Sequence, residues 1–313
     1  MATGFLTGLA SYGLNVFPQY VPTTLYQGNV FFVGNNNAST QFGTASVDDP
    51  SYGKTPSLPF NTINYAFTKC YPNQGDVIVV LPGHVETVSA ASGTGSLTFG
   101  VAGVTVLGIG NRVNRPKIYL STATTATINV TAANVALYNV KVDSTGIDAV
   151  AVAITVSAGG FYMESCEHYF AKTSFCTIKG ISTTTAAAGS YLTINNCYFH
   201  GDAVANCTSY FQCVGGDSIS ITNSYIVGNF TTSLGIFNNI TAAVTNILFD
   251  NCKLANLTAS STKCIVCLTG STGFVNKTDM QVLTGTAPIT MDGGVWCGGN
   301  YSAATIATGS TLV

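Results

Sequence analysis

TINNCYF, residues 193–199, alternates apolar and polar side chains on either side of a paired asparagine, and the same pattern recurs along the chain. ALYNVKV (136–142), YMESCEH (162–168), SITNSYI (220–226) and LFDNCKL (248–254) all read apolar, polar, asparagine-like, apolar, polar, apolar. The central positions Val140, Cys166, Cys197, Ser224 and Cys252 are separated by 26, 31, 27 and 28 residues. A period of that length, carrying strands and no helical run, is the signature of a solenoid whose turns stack on one another. The register predicts two inward columns, Leu137-Met163-Ile194-Ile221-Phe249 and Val135-Phe161-Leu192-Ile219-Ile247. Between them and the second half of the template lie Asn139, Ser165, Asn196, Asn223 and Asn251, where a coil has to bend and where Asn tolerates the left-handed backbone. At strand spacing, about 4.8 Å, these side chains can bond one another up the column, so Asn139, Asn196, Asn223 and Asn251 are expected to form a structural turn ladder. Extended backwards, the repeat places Ile109 and then Pro82 in the central column, which makes GDVIVVLPGHVETV (75–88) its first turn.

Composition agrees with a long all-β stack. Only 8% of the 313 residues are charged, about a third of the usual share, and Thr, Ser, Asn, Gly and Ala take their place. β-Branched Val, Ile and Thr favour strands. A net charge of −2 supplies no basic footprint for nucleic acid and no polybasic patch for a membrane surface. The apolar start, MATGFLTGLASYGLNVF, lacks a positive n-region and is too interrupted for a membrane span. The ten cysteines fall mostly in strand-like runs, as small hydrophobes, and read as reduced thiols of a protein folded in cytoplasm. Sequons such as those at Asn129, Asn206 and Asn229 then arise from composition.

The predicted fold is a single-stranded right-handed parallel β-helix, with an N-terminal capping helix and an extended N-terminal arm. Residues 1–45 form the arm; 46–75 hold the cap, where Ile63, Ala66, Phe67 and Cys70 share one face of a short helix. Residues 76–260 are the rungs. Residues 261–313, with Trp296, supply the last rungs and a C-terminal cap or oligomer contact.

GKTPSLPFNTINYAF (53–67), NQGDVIVVLPGHVETV (73–88) and GVTVLGIGNRVNRPKI (103–118) resemble the N-terminal signature of pectate-lyase-like β-helix proteins, particularly a group of bacteriophage virion structural proteins; NVFFVGNNN (29–37) fits the same group. The resemblance covers residues 25–145 by motif. It implies a virion protein, trimeric, decorating or cementing a capsid and assembled in the host cytoplasm. Its partners would be the major capsid protein or other virion proteins, and the apolar arm, through Phe5, Leu6, Tyr12, Val16, Phe17 and Tyr20, would be its anchor.

No catalytic, cofactor or metal set is expected, and the chain is read as not an enzyme. Glu164 and Asp250 share an outward column but lie three rungs apart, about 14 Å, too far to hold one ion. Lys141, Glu167, Tyr198, Tyr225 and Lys253 form the next outward column, read as an ion pair and an aromatic ladder. His84 is assigned a structural bond at a bend, His168 an inward position and His200 a place two rungs from Asp143, none with a triad partner. Cys264 and Cys267 are expected on opposite faces of a strand. Arg112 and Arg115 read as a solvated corner, with contact to an acidic partner as the lesser reading. The alternative function is a tailspike-like glycan-binding or polysaccharide-lyase β-helix, with Tyr162, Tyr198 and Tyr225 stacking on sugar rings.

Overall fold

The structure is a computed structural model; it describes residues 28–35, 46–172, 175–201, 207–230, 234–258 and 263–282, and the strands at 289–291, 295–298 and 301–302. The chain winds as a right-handed parallel β-helix, most turns adding one strand to each of three sheets. Sheet 1 runs Val30–Val33, Val77–Val80, Thr105–Gly108, Ala136–Tyr138, Tyr162–Glu164, Thr193–Asn195, Ser220–Thr222, Ile247–Asp250, Gly273–Asn276 and Val295–Gly298. Sheet 2, entered after the asparagine bend, runs Val85–Val88, Lys117–Leu120, Lys141–Asp143, Glu167–Lys172, Tyr198–Gly201, Tyr225–Gly228, Lys253–Asn256, Asp279–Val282 and Tyr301–Ser302. Sheet 3 runs from Leu97–Phe99 through Ile128–Val130, Ile154–Val156, Lys179–Thr183, Ser209–Cys213, Phe237–Asn239 and Ile265–Cys267 to Ile289–Met291.

The register is the one the repeat requires. Leu137, Met163, Ile194, Ile221 and Phe249 pair rung to rung. They and the column from Val135 to Ile247 are buried in one continuous core. Asn139, Ser165, Asn196, Asn223 and Asn251 all have φ between 50° and 55°. Lys277 continues that position with φ 44°. The ladder itself is mixed. Asn251 Nδ2 donates to Asn223 Oδ1 at 2.9 Å and Asn196 Nδ2 to Ser165 Oγ at 3.0 Å. Asn223 Nδ2 instead reaches Asn195 Oδ1 at 2.9 Å, and Asn139 Nδ2 reaches the carbonyls of Gly108 and Gly110.

The residue after each bend has a role that apolar patterning does not show. Cys166, Cys197 and Cys252 Sγ donate to the carbonyls of Glu164, Asn195 and Asp250, two residues back, at 3.3, 3.2 and 3.4 Å. Ser224 Oγ and Thr278 Oγ1 do the same to Thr222 and Asn276 at 2.7 and 2.9 Å. A thiol or hydroxyl here satisfies a carbonyl at the bend, and the thiol also fills core volume. Cys70, Cys166, Cys197, Cys213, Cys252 and Cys264 are buried free thiols, and Cys207 and Cys267 are buried as well.

Ile63–Phe67 is helical, capped by the Thr62 side chain accepting from Tyr65 N, and buries Ile63, Ala66 and Phe67 against the first turn. Phe67 stacks on Phe99 at 5.0 Å. Three expectations are corrected. Val30–Val33 lies within the stretch assigned to an arm outside the coil, yet pairs in parallel with Val77–Val80 and so opens sheet 1. Val80 stands opposite Gly108, which aligns Leu81 rather than Pro82 with Ile109. Cys264 and Cys267 are both buried rather than on opposite faces, because the chain turns into the strand just after Cys264. The strands at 273–276, 279–282 and 295–298 carry the coil beyond the point where the template fades. The anchoring residues Phe5, Leu6, Tyr12, Val16, Phe17 and Tyr20 lie outside the described residues.

Candidate functional site

The outer face of sheet 2 carries a cluster of interacting charged and aromatic side chains. Pairing sets Lys117, Lys141, Glu167, Tyr198, Tyr225, Lys253 and Asp279 in one outward column. Tyr119, Asp143, Tyr169 and His200 form the column beside it. Glu167 is the hub: His200 Nε2 lies 3.0 Å and Lys141 Nζ 3.9 Å from its Oε1, and Arg115 Nη1 lies 3.6 Å from its Oε2. Lys117 Nζ pairs with Asp143 Oδ2 at 3.8 Å. An ionised carboxylate only accepts, so Glu167 holds His200 with the proton on Nε2.

The aromatic residues of this face form a stepped stack over three rungs: Tyr169 meets His200 and Tyr198 meets Tyr225 from rung to rung, while His200 and Tyr198 lie side by side on one strand. Tyr169 and His200 lie 4.6 Å apart, His200 and Tyr198 4.6 Å, and Tyr198 and Tyr225 5.1 Å at an interplanar angle of 8°. Lys141 Nζ sits 5.8 Å over Tyr169, and Lys117 Nζ 4.7 Å over Tyr119. In such a row the inner ring faces meet each other. The open surface is therefore ring edges rather than the free faces expected for stacking on sugars. Tyr198 is the most open of the four, at 44% exposure. Partial burial, then Tyr225 and Glu167, raise its phenol above the ordinary value. What runs straight along this face is the column Lys117-Lys141-Glu167-Tyr198-Tyr225-Lys253-Asp279, one charged or phenolic side chain per rung at about 4.8 Å intervals.

On sheet 1 the third expected tyrosine is engaged. The Tyr162 hydroxyl donates to Glu164 Oε2, and its ring packs 5.4 Å from Tyr138. Burial, then that carboxylate, raises the Tyr162 pKa. Glu164 and Asp250 are separated by Asn195 and Thr222, as the register predicts. Among the described residues no group of acidic, His and Cys side chains is arranged to hold a metal ion.

Two histidines are structural. His84 Nε2 and Ile63 N share Glu86 Oε2 at 2.9 and 3.0 Å, all buried, so this pair seats the first turn of the capping helix. Glu86 points inward, which its alternating neighbours did not announce. His168 is buried between Ser144 Oγ and Tyr210 Oη, each 2.7 Å away. Burial pushes its pKa down to about 3, so it is neutral. The third, His200, stands two rungs from Asp143 as expected, and its contact with Glu167, diagonal across neighbouring strands, is what the columns did not name. Arg115 joins the same hub rather than standing as a solvated corner.

No family model and no curated protein matches this chain. Among solved structures, a rhamnogalacturonan lyase superposes with a TM-score of 0.52 at 14% identity, over 91% of this chain and 84% of its own. The likeness is one of fold. Two structures of pectin methylesterase align with a TM-score of 0.44 at 12% and 11% identity, over 88% of this chain and 94% of theirs. The expectation that the chain is not an enzyme is corrected: the coil it shares over most of its length is that of an enzyme, so this architecture supplies no ground for excluding catalysis. The phage group suggested by residues 25–145 does not appear among these matches.

Proposed function

We propose that this chain binds a polysaccharide lengthwise along the outer face of sheet 2. The observation that carries the reading is the stepped stack of Tyr169, His200, Tyr198 and Tyr225 over three rungs, flanked by Arg115, Lys141 and Glu167. Amphipathic rings and charge-assisted hydrogen bonds are the groups that hold a hydroxyl-rich ligand against water. A linear polymer laid along the axis meets a charged or phenolic side chain at each rung from Lys117 to Asp279. The fold neighbour is by name a lyase of rhamnogalacturonan, so that polymer heads the panel to be tried. The test is affinity electrophoresis of the purified chain through gels containing single polysaccharides, with each polymer sized by chromatography afterwards to detect cleavage. Retardation by at least one polymer, lost in Tyr198→Ala, supports the reading; free migration through every gel refutes it.

A second reading follows from the resemblance of residues 25–145 to phage virion β-helices: the coil is carried on a particle as a trimeric decoration by the uncharged N-terminal stretch. Immunogold labelling of phage particles tests it, and particles without label refute it. The two readings concern different surfaces, and one chain can satisfy both.

A further inference from the structure

Sheet 1 changes character along its length. One outward column reads Phe32, Val79, Leu107, Tyr138, Glu164, Asn195 and Thr222, and the column beside it Val30, Val77, Thr105, Ala136, Tyr162 and Thr193. The first column passes from apolar to polar at the fourth strand; the second is apolar at Val30 and Val77, has Thr105 and Ala136 next, and is polar at Tyr162 and Thr193. The inward partners Phe31, Ile78 and Val106 belong to the coil core, so the first two strands are apolar on both faces and the third adds Leu107 to the outward one. Phe32, Val77, Val79 and Leu81 form a cluster separate from that core, buried although they face outward. The partly buried apolar side chains packed on the cluster among the described residues are Val30, Leu107 and Ile109, all of the same three strands.

We propose that this outward face is the seat of residues 1–27 of the same chain. The stretch enters sheet 1 at Gly28, two residues before Val30, whose side chain lies at the edge of the face. It carries no Asp, Glu, Lys or Arg and brings Phe5, Leu6, Leu9, Leu14, Val16 and Phe17. Fully extended, 27 residues reach about 90 Å, and three strands span about 10 Å, so length is no obstacle. The other undescribed stretch at this end, NNASTQFGTA (36–45), is largely polar. An apolar segment tethered beside an apolar face associates with it at high effective concentration. The inference does not depend on what the face of sheet 2 binds. An anchor formed by residues 1–27 would first have to leave its seat.

Limited proteolysis of the full chain with chymotrypsin tests this, with cleavage after Phe5, Tyr12 and Tyr20 followed by mass spectrometry. A synthetic peptide of residues 1–27 supplies the unprotected rate. Cleavage in the full chain is expected at least about tenfold slower than in the peptide, since it tracks the open population. Leu107→Asp, at a partly exposed outward position, is expected to return it to within about twofold of the peptide rate with the β-sheet circular dichroism unchanged. If that variant loses its β-sheet signal, Ile109→Asp at the rim of the face replaces it. Cleavage of the full chain at the peptide rate, or protection that survives the Asp substitution, overturns the proposal. Protection lost on dilution assigns the face to a second copy and overturns it equally.

Discussion

Asn223 is the position at which the bend ladder can be taken apart. Its φ is 51°, its Nδ2 donates to Asn195 Oδ1 at 2.9 Å, and its Oδ1 accepts from Asn251 Nδ2 at 2.9 Å. The left-handed conformation costs an ordinary side chain about 1–2 kcal/mol, with a β-branched one at the upper end. Two exposed hydrogen bonds add about 0.5 kcal/mol each, the low end of the usual range. Asn223→Val should therefore destabilise the coil by about 2–3 kcal/mol. Asn223→Gly keeps the backbone conformation without strain and loses only the bonds and some chain entropy, so it should cost about 1 kcal/mol. Urea unfolding followed by circular dichroism, at equal m-value, measures both. Equal losses in the two variants would show that the hydrogen bonds, not the left-handed backbone, make this position Asn. A Val variant within about 0.5 kcal/mol of the parent refutes the account of the bend. Lys277, which holds the same conformation in a later turn, shows that the conformation is set by the coil and that Asn merely lowers its cost.

The remaining predictions concern the core. His168, with its pKa pushed down to about 3 against an ordinary value of about 6.5, binds a proton in the unfolded chain that the folded chain refuses. Stability should thus fall as pH drops through that window, by up to about 1.4 kcal/mol per pH unit from this group, and be insensitive to it above pH 7; His168→Asn should flatten the difference between urea midpoints at pH 7 and pH 4.5, and an unchanged difference contradicts the assignment. Burial raises the thiols of Cys70, Cys213 and Cys264 to about 12 and that of Cys252 to about 11, so these four should not react with a disulfide reagent at pH 8 until the chain unfolds. Rapid labelling of any of them in the native protein counts against the packing described. Phe249→Ala removes a buried ring that meets Phe237 edge-on at 5.5 Å and should cost about 3–5 kcal/mol in the same urea assay. A loss below about 1 kcal/mol would mean that the column is not core.

The coil was legible because its evidence is repeated. Five copies of one template put Leu137, Met163, Ile194, Ile221 and Phe249 in phase, and a single misread residue does not disturb that column. Where only one copy speaks, the reading fails. Val30–Val33 is four residues in an apolar, proline-punctuated stretch that carries no copy of the template to reveal it as a strand. The turn through Gly110, φ 121°, bends two residues later than the Asn turns, so the alignment backwards to Val77–Val80 slips by one. The hub on sheet 2 was half visible. Its columns follow from register, but the His200–Glu167 contact is diagonal, between residues of adjacent columns, and columns alone name only direct neighbours. Tyr210, which holds His168 in the core, comes from sheet 3, whose strands the template did not include. The inward turn of Glu86 depends on the capping helix above it, through Ile63 N, a contact that no periodicity encodes.

The measurement that bears most directly on the account is a crystal structure of the full chain soaked with an oligosaccharide from the polymer that retards it most. The account predicts sugar density running along sheet 2, beside Tyr198 and Tyr225 and reaching Arg115 and Glu167. Ordered sugar on sheet 1 or sheet 3, with the sheet 2 face bare, would contradict it.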